Sequence, residues 1–175
     1  MYKVLKIGNK EYKFEYSLEA SLYDQGIESL LDFLGNTAGA VNMDKVTDGM
    51  NTVDKKEAVG AIMNKLKSTI TNIPRTAITL FYMGLLEHHG EDGDGTVTSF
   101  GDAKRLAKQY YIDHAEDGTD TPVDLINLCL EQMGEDGFFK RTGLEKVFSG
   151  AQKTEESSVT PNRAQRRANK KASGK

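Results

Sequence analysis

The sequence has few of the residues that cross-link or kink a chain, and it has no long apolar run. Its 175 residues include one cysteine, three prolines and no tryptophan. A single cysteine, Cys129, excludes an internal disulfide and favours a reducing compartment. No window approaches the roughly 20 apolar residues of a membrane helix, and the first residues lack the apolar core of a signal peptide. We therefore expect a cytosolic protein that makes no membrane contact.

The spacings that mark enzyme active sites are also missing. There is no phosphate-binding loop, no paired-carboxylate arrangement and no Ser-His-Asp arrangement. Cys129 lies in an apolar stretch, where a buried thiol is inert. His88 and His89 are adjacent, so on a helix they diverge by about 100° and do not both face one ion, and His114 lies elsewhere. We expect no enzymatic activity, no metal and no cofactor.

The segment from Glu91 to Val97 resembles part of a calcium-binding EF-hand loop. With Gly95 at the sixth position of such a loop, Asp92 and Asp94 occupy the third and fifth positions. The first and twelfth positions are then glycines, so both end ligands are absent. The alternative is a glycine-rich turn between helices, with its acidic residues beside the N-terminus of the next helix. We favour the turn.

Charge is distributed unevenly along the chain. Residues 159–175 contain six basic and no acidic residues, so a net charge of -3 leaves about -9 on the rest. The candidate partner-binding residues follow a helical spacing of i, i+3, i+4, i+7 and i+8: Arg163, Arg166, Arg167, Lys170 and Lys171. Such a stripe could bind nucleic-acid phosphates, an acidic protein surface (its own body or a second copy included), or simply solubilise the chain. The tail has no aromatic residue for base stacking, so nucleic acid is the weaker alternative.

Hydrophobic periodicity predicts mostly helices after an N-terminal hairpin. Residues 2–16 alternate apolar and polar side chains around Gly8-Asn9, with Tyr12, Phe14 and Tyr16 on one face. Leucines then predict a helix from Ser17 that ends at Gly35-Asn36, with this apolar stripe: Leu18, Leu22, Leu30, Leu31 and Leu34. Residues 36–53 have no clear period and are predicted to be a long loop.

The second half of the chain carries clear helix signals. Asp54 begins an amphipathic helix, Pro74 is predicted to break it, and the apolar run at 74–89 is predicted to be the central, buried helix. Ser99 and Thr121 are predicted N-caps of two further helices. The first carries an apolar face of Ala103, Leu106, Ala107 and Tyr110; the second carries Val123, Ile126, Leu130 and Met133. A short helix near 142–149 follows.

These elements define the predicted fold class. It is mainly α, with a small N-terminal β-hairpin (2–16) and about five to six helices in one domain at 1–150. A flexible basic tail at 151–175 completes the chain.

The order of these segments resembles the tail assembly chaperones of long-tailed phages and prophages of Gram-positive bacteria. The resemblance rests on a hairpin reading IGNKEYKFEY, a helix reading IESLLDFL, and a central LFYMGLLEHH followed by a Gly/Asp turn and DAKRLAKQYY. The chain ends with PNRAQRRANKK. The likeness covers most of residues 1–150 in layout, together with the tail, while residues 36–53 have no counterpart.

The resemblance implies a non-enzymatic protein of the host cytoplasm that is absent from the finished virion. Proteins of this family bind the tape measure protein, keep it soluble and promote tail tube assembly around it. Many also exist in a longer form made by ribosomal frameshifting, which could reach the tail tube protein; self-association is a further possibility. Adaptable methionines suit such binding, with Met43, Met50, Met63 and Met83 as candidates, although we expect core packing for the last two.

Overall fold

A computed structural model describes residues 2–41 and 52–146. Two strands, β1 (Lys3–Ile7) and β2 (Lys10–Phe14), are followed by α1 (Leu18–Leu22), α2 (Asp24–Val41), α3 (Thr52–His89), α4 (Phe100–Asp113), α5 (Pro122–Glu135) and α6 (Phe138–Arg141). The predicted mainly helical fold with an N-terminal hairpin is confirmed. The chain divides into two compact units, Met1–Phe138 and Phe139–Lys175. The predicted boundary at residue 150 stays a prediction.

The hairpin has the alternation that its sequence predicts. The strands are antiparallel, with Ile7 opposite Lys10 and Lys3 opposite Phe14, and Gly8 adopts φ +60° in the turn. Tyr12, Phe14 and Tyr16 are buried on one face, as are Leu5 and Ile7. A two-stranded hairpin is marginal alone, so its stability depends on the helices that cover this face.

The C-terminal half of α3 is the centre of the first unit. Residues 79–85 are buried without a break, which confirms the predicted central helix. A Cβ on Gly84 would lie 2.4 Å from the Phe14 ring, so only glycine allows this ring to lie against the helix backbone. The largest fully buried apolar side chains share this core: Phe14, Tyr16, Leu30, Leu80, Phe81, Met83, Leu85, Leu125, Ile126, Met133 and Phe138.

Proline does not break α3, so the prediction of two helices was wrong. Pro74 lies inside a single helix of 38 residues. A proline in a helix interior removes one backbone hydrogen bond and crowds the preceding turn. Residues 70–72 and 74–75 are exposed, so water can reach this part of the helix surface. Residues 76–77 and 79–85, which follow the proline, are buried and stabilise the helix by their packing.

The N-terminal helices also differ from their prediction. The break falls at Tyr23 between α1 and α2, and α2 continues past Gly35-Asn36 to Val41. The predicted loop at 36–53 is therefore wrong for 36–41 and for 52–53, which are helical, while 42–51 lies outside the described residues. Gly26 is buried inside α2, where a Cβ would lie 2.5 Å from the Met83 sulfur.

The two predicted N-caps are confirmed. The Ser99 hydroxyl accepts the Asp102 backbone N–H at 3.2 Å, and Thr121 and Asp124 form a complete capping box. Of the predicted face on α4, Ala103, Ala107 and Tyr110 are buried and Leu106 is half-buried. Of the predicted stripe on α5, Ile126 and Met133 are buried, Leu130 is half-buried, and Val123 is exposed at the first turn.

The second unit is described as far as residue 146. Gly143 has φ +77°, and its N–H donates to the Lys140 carbonyl at 3.2 Å. Leu144 is buried, and residues 144–146 are helical. The predicted helix near 142–149 therefore includes a turn at 142–143, and residues 147–149 lie outside the described residues.

Candidate functional site

The candidate partner-binding residues of the tail all lie outside the described residues. They are Arg163, Arg166, Arg167, Lys170 and Lys171. Met43 and Met50 lie outside them too, as does the side chain of Met63. Met83 is fully buried and makes core contacts, as expected. A candidate site must therefore be found in the body of the first unit.

The Gly/Asp segment after α3 is an ordered cap on the end of that helix. Backbone N–H groups of Gly90, Asp94 and Val97 donate to the carbonyls of Leu86, His88 and His89 at 2.8, 3.0 and 2.8 Å. These are carbonyls of the last helical turn, which have no helical partner of their own. Val97 is fully buried and fixes the far end of the turn. The predicted interhelical turn is confirmed.

The carboxylate of Asp94 takes part in this cap. It accepts the Thr96 N–H at 3.0 Å and the Thr96 hydroxyl at 2.6 Å, and it lies 2.8 Å from Nδ1 of His89. Desolvation acts to raise the pKa of Asp94, but these hydrogen bonds outweigh it and hold the pKa below its ordinary value. Within the described residues, no three histidine, cysteine or acidic side chains cluster as metal ligands would.

Both histidines join the end of α3 to strand β2. Nε2 of His89 accepts the Lys13 backbone N–H at 3.0 Å, and the His89 side chain is 9% exposed. Nε2 of His88 lies 3.1 Å from a carboxylate oxygen of Glu15. The sequence placed the two histidines correctly in the last turn of a helix. It gave no signal of their contact with the hairpin, which is more than 70 residues away in sequence.

These contacts cover the outer edge of β2 at Lys13, and two more cover the chain directly after the strand. The Glu15 N–H donates to the Gly84 carbonyl at 2.9 Å, and the Tyr16 N–H donates to Asp136 at 2.8 Å. An unpaired strand edge readily pairs with another chain, and covering it with a helix prevents this. The face of the hairpin and one of its edges therefore serve the fold and are unavailable to a partner.

The first two leucines of the predicted stripe lie on the surface of α1, whereas Leu30 of the same stripe is buried on α2. Leu18 and Leu22 are 69% and 64% exposed, whereas Ala20 between them is buried. Residues four apart share one face of a helix, so the two side chains form an apolar pair that faces solvent. The sequence predicted only that both belong to an apolar stripe, because a leucine spacing of four fits either a core face or a docking face.

The groove between α2 and α3 has a different chemistry. It has a volume of about 340 Å³ and is lined mostly by hydroxyl, amide and charged side chains, among them Ser29, Asp32, Asn36, Asn72 and Arg75. Burying an apolar helix against such groups would leave them without hydrogen bonds, which is costly. The Leu18–Leu22 pair is therefore the better candidate for an apolar partner.

Cys129 is a core residue. It is fully buried on α5, and burial raises the pKa of its thiol to about 12. A thiol that stays protonated is neither a nucleophile nor a metal ligand at neutral pH. This agrees with the interpretation of Cys129 as inert.

Among the described residues, no helix has the length and apolar character needed to cross a membrane. Comparisons of the chain with protein-family models, with curated proteins and with solved structures find no match.

Proposed function

We propose that this protein is a phage tail assembly chaperone that binds the tape measure protein, keeps it soluble and promotes tail tube assembly around it. The observation that carries the proposal is the solvent-facing pair Leu18 and Leu22 on α1. The tape measure protein is long and helical, and a helix that must be kept from aggregating presents apolar side chains to its chaperone. The resemblance in segment order supports the same function.

The chemistry of the Leu18–Leu22 pair suits reversible binding. Complete burial of one leucine side chain stabilises a complex by roughly 1.5–3 kcal/mol. Two leucines per copy provide enough binding free energy to hold a partner helix when several copies bind along it. The same free energy is small enough for each copy to release the helix as the tube subunits arrive. In this proposal the protein acts in the host cytoplasm and leaves before the virion is complete.

Co-expression tests the proposal. The tape measure protein of the phage or prophage that carries this gene is produced alone, with the wild-type chain, and with a Leu18→Ser, Leu22→Ser variant. We expect a large rise in its soluble fraction with the wild-type chain and little rise with the variant. Ile112→Ser is the matched control, because Ile112 on α4 is 66% exposed, as much as the two leucines.

The outcomes distinguish the proposed function from the assignment of its binding surface to α1. A tape measure protein that is equally soluble with and without the wild-type chain contradicts the function. Equal rescue by the wild-type chain and the double variant contradicts only the assignment to α1. Salt-dependent binding of the chain to duplex DNA or RNA, without rescue, would favour the nucleic-acid alternative.

A further inference from the structure

The contacts of His89 fix the protonation state of its ring. Nε2 lies 3.0 Å from the Lys13 backbone nitrogen, and Nδ1 lies 2.8 Å from Oδ2 of Asp94. A backbone N–H can only donate, so Nε2 carries the lone pair and Nδ1 carries the proton. The observed arrangement therefore requires a neutral imidazole in one particular tautomer.

The groups around His89 come from three elements. The turn after α3 contributes the Asp94 carboxylate and the Thr96 hydroxyl, whose oxygen is 3.3 Å from Nδ1. Strand β2 contributes the Tyr12 ring, edge-on at 5.2 Å between centroids, while the ammonium group of Lys13 lies over the Tyr2 ring. On α3 itself the His88 ring is 6.4 Å away, beside the carboxylate of Glu15.

A second proton on this ring has unequal effects on its two contacts. At Nε2 it turns an acceptor into a donor that faces the Lys13 N–H, so that hydrogen bond is lost and two N–H groups oppose each other. At Nδ1 the hydrogen bond to Asp94 becomes charge-assisted and gains strength. Asp94 remains ionised in mild acid, because its pKa lies below the ordinary value.

We propose that His89 is a pH-responsive connection between the hairpin and α3. Protonation at Nε2 releases β2 at Lys13, while Asp94 continues to hold the ring against the turn that caps α3. Other contacts of the hairpin involve neither ring nitrogen of His89, including the Glu15 bond to Gly84 and the Gly8 bond to Asp113. The release is therefore confined to one stretch of the outer edge of β2.

Nuclear magnetic resonance of the ¹⁵N-labelled full chain tests this proposal. The ring nitrogens of His89 and the exchange of backbone amides are followed from about pH 7.5 to about pH 5, across the range in which imidazoles titrate. We expect a protonated Nδ1 and an unprotonated Nε2 at the higher pH. As Nε2 gains its proton, protection of the Lys13 amide should fall about tenfold, the factor for one ordinary hydrogen bond. The Gly8 amide should stay within about twofold.

Two variants give matched controls. His89→Gln should abolish the pH dependence of the Lys13 amide, and His88→Gln should preserve it. Should His89→Gln fail to fold, the titration of the wild-type chain decides alone. The proposal is overturned if His89 carries its proton on Nε2 at the higher pH, if it stays neutral to about pH 5, or if it becomes doubly protonated without any change at Lys13.

Discussion

The described side chains in the two halves of α3 differ in burial, although both halves belong to one helix. From Thr76 to Leu85 nearly every side chain is buried, and α3 as a whole contacts strand β2, α1, α2, α4 and α5. Before Pro74, the described side chains are exposed with the exception of Ile73, and Ile70 is 57% exposed. Tertiary contacts therefore stabilise the second half, whereas the described side chains of the first half contribute little buried surface.

Removing a large side chain from each half of α3 should give the largest difference in the free energy of unfolding between the two halves. Leu80 is fully buried, so Leu80→Ala should lower the free energy of unfolding by about 2–5 kcal/mol. Ile70→Ala leaves no cavity and should change it by less than about 0.5 kcal/mol. Urea denaturation measures both values, and similar losses in the two variants would show that the first half is packed as well.

A substitution of Pro74, where the two halves meet, should have the next largest effect on the free energy of unfolding. Pro74→Ala restores a backbone donor and removes a steric clash, which together exceed the entropy that proline removes from the unfolded chain. We expect the free energy of unfolding to rise by about 2 kcal/mol. Pro122→Ala is the control, because Pro122 sits in the first turn of α5, where proline is well placed, and this change should destabilise slightly. A destabilised Pro74→Ala variant would contradict a continuous α3.

Glycine substitution should have opposite signs in the two halves. Gly84→Ala places a Cβ within 2.4 Å of the Phe14 ring and should destabilise by about 1–3 kcal/mol as the hairpin is displaced. Gly60→Ala meets nothing within 4 Å and should stabilise by about 0.5–1 kcal/mol through helix propensity. Thermal unfolding measures the change in stability of each variant. Shifts of the melting temperature in the same direction would contradict the difference between the two halves.

The smallest expected effect concerns the pH dependence of stability at the turn that caps the buried half of α3. The pKa of Asp94 is lowered in the folded chain, so its contribution to stability is complete above the unfolded value near 3.9. This contribution is lost as pH falls through the lower folded pKa. Asp94→Asn should therefore be less stable at pH 6 and lose less stability on acidification. Asp92→Asn is the control, and equal pH profiles of the two variants would exclude a role for Asp94.

Local signals were sufficient to predict the hairpin, the central helix and both N-caps. Each depends on residues within a few positions, such as Gly8 in its turn or Thr121 before Pro122. The errors fall where tertiary context decides. Pro74 is tolerated because neighbouring packing holds the helix, and Leu18 and Leu22 have the spacing of core residues without a partner in the described residues to cover them. The role of His89 required knowing which strand would lie beside it.

The long-range hydrogen bonds of the hairpin and the residues next to it have a consequence for the timing of folding. The Tyr16 N–H reaches its carboxylate partner on Asp136 across 120 residues of chain, and Gly8 reaches Asp113 across 105. At about 5–20 residues per second, roughly 6–24 s separate the synthesis of Tyr16 from that of Asp136. During that interval the hairpin has strand edges and aromatic side chains without their partners. The hairpin therefore waits for partners that are synthesised more than 100 residues later.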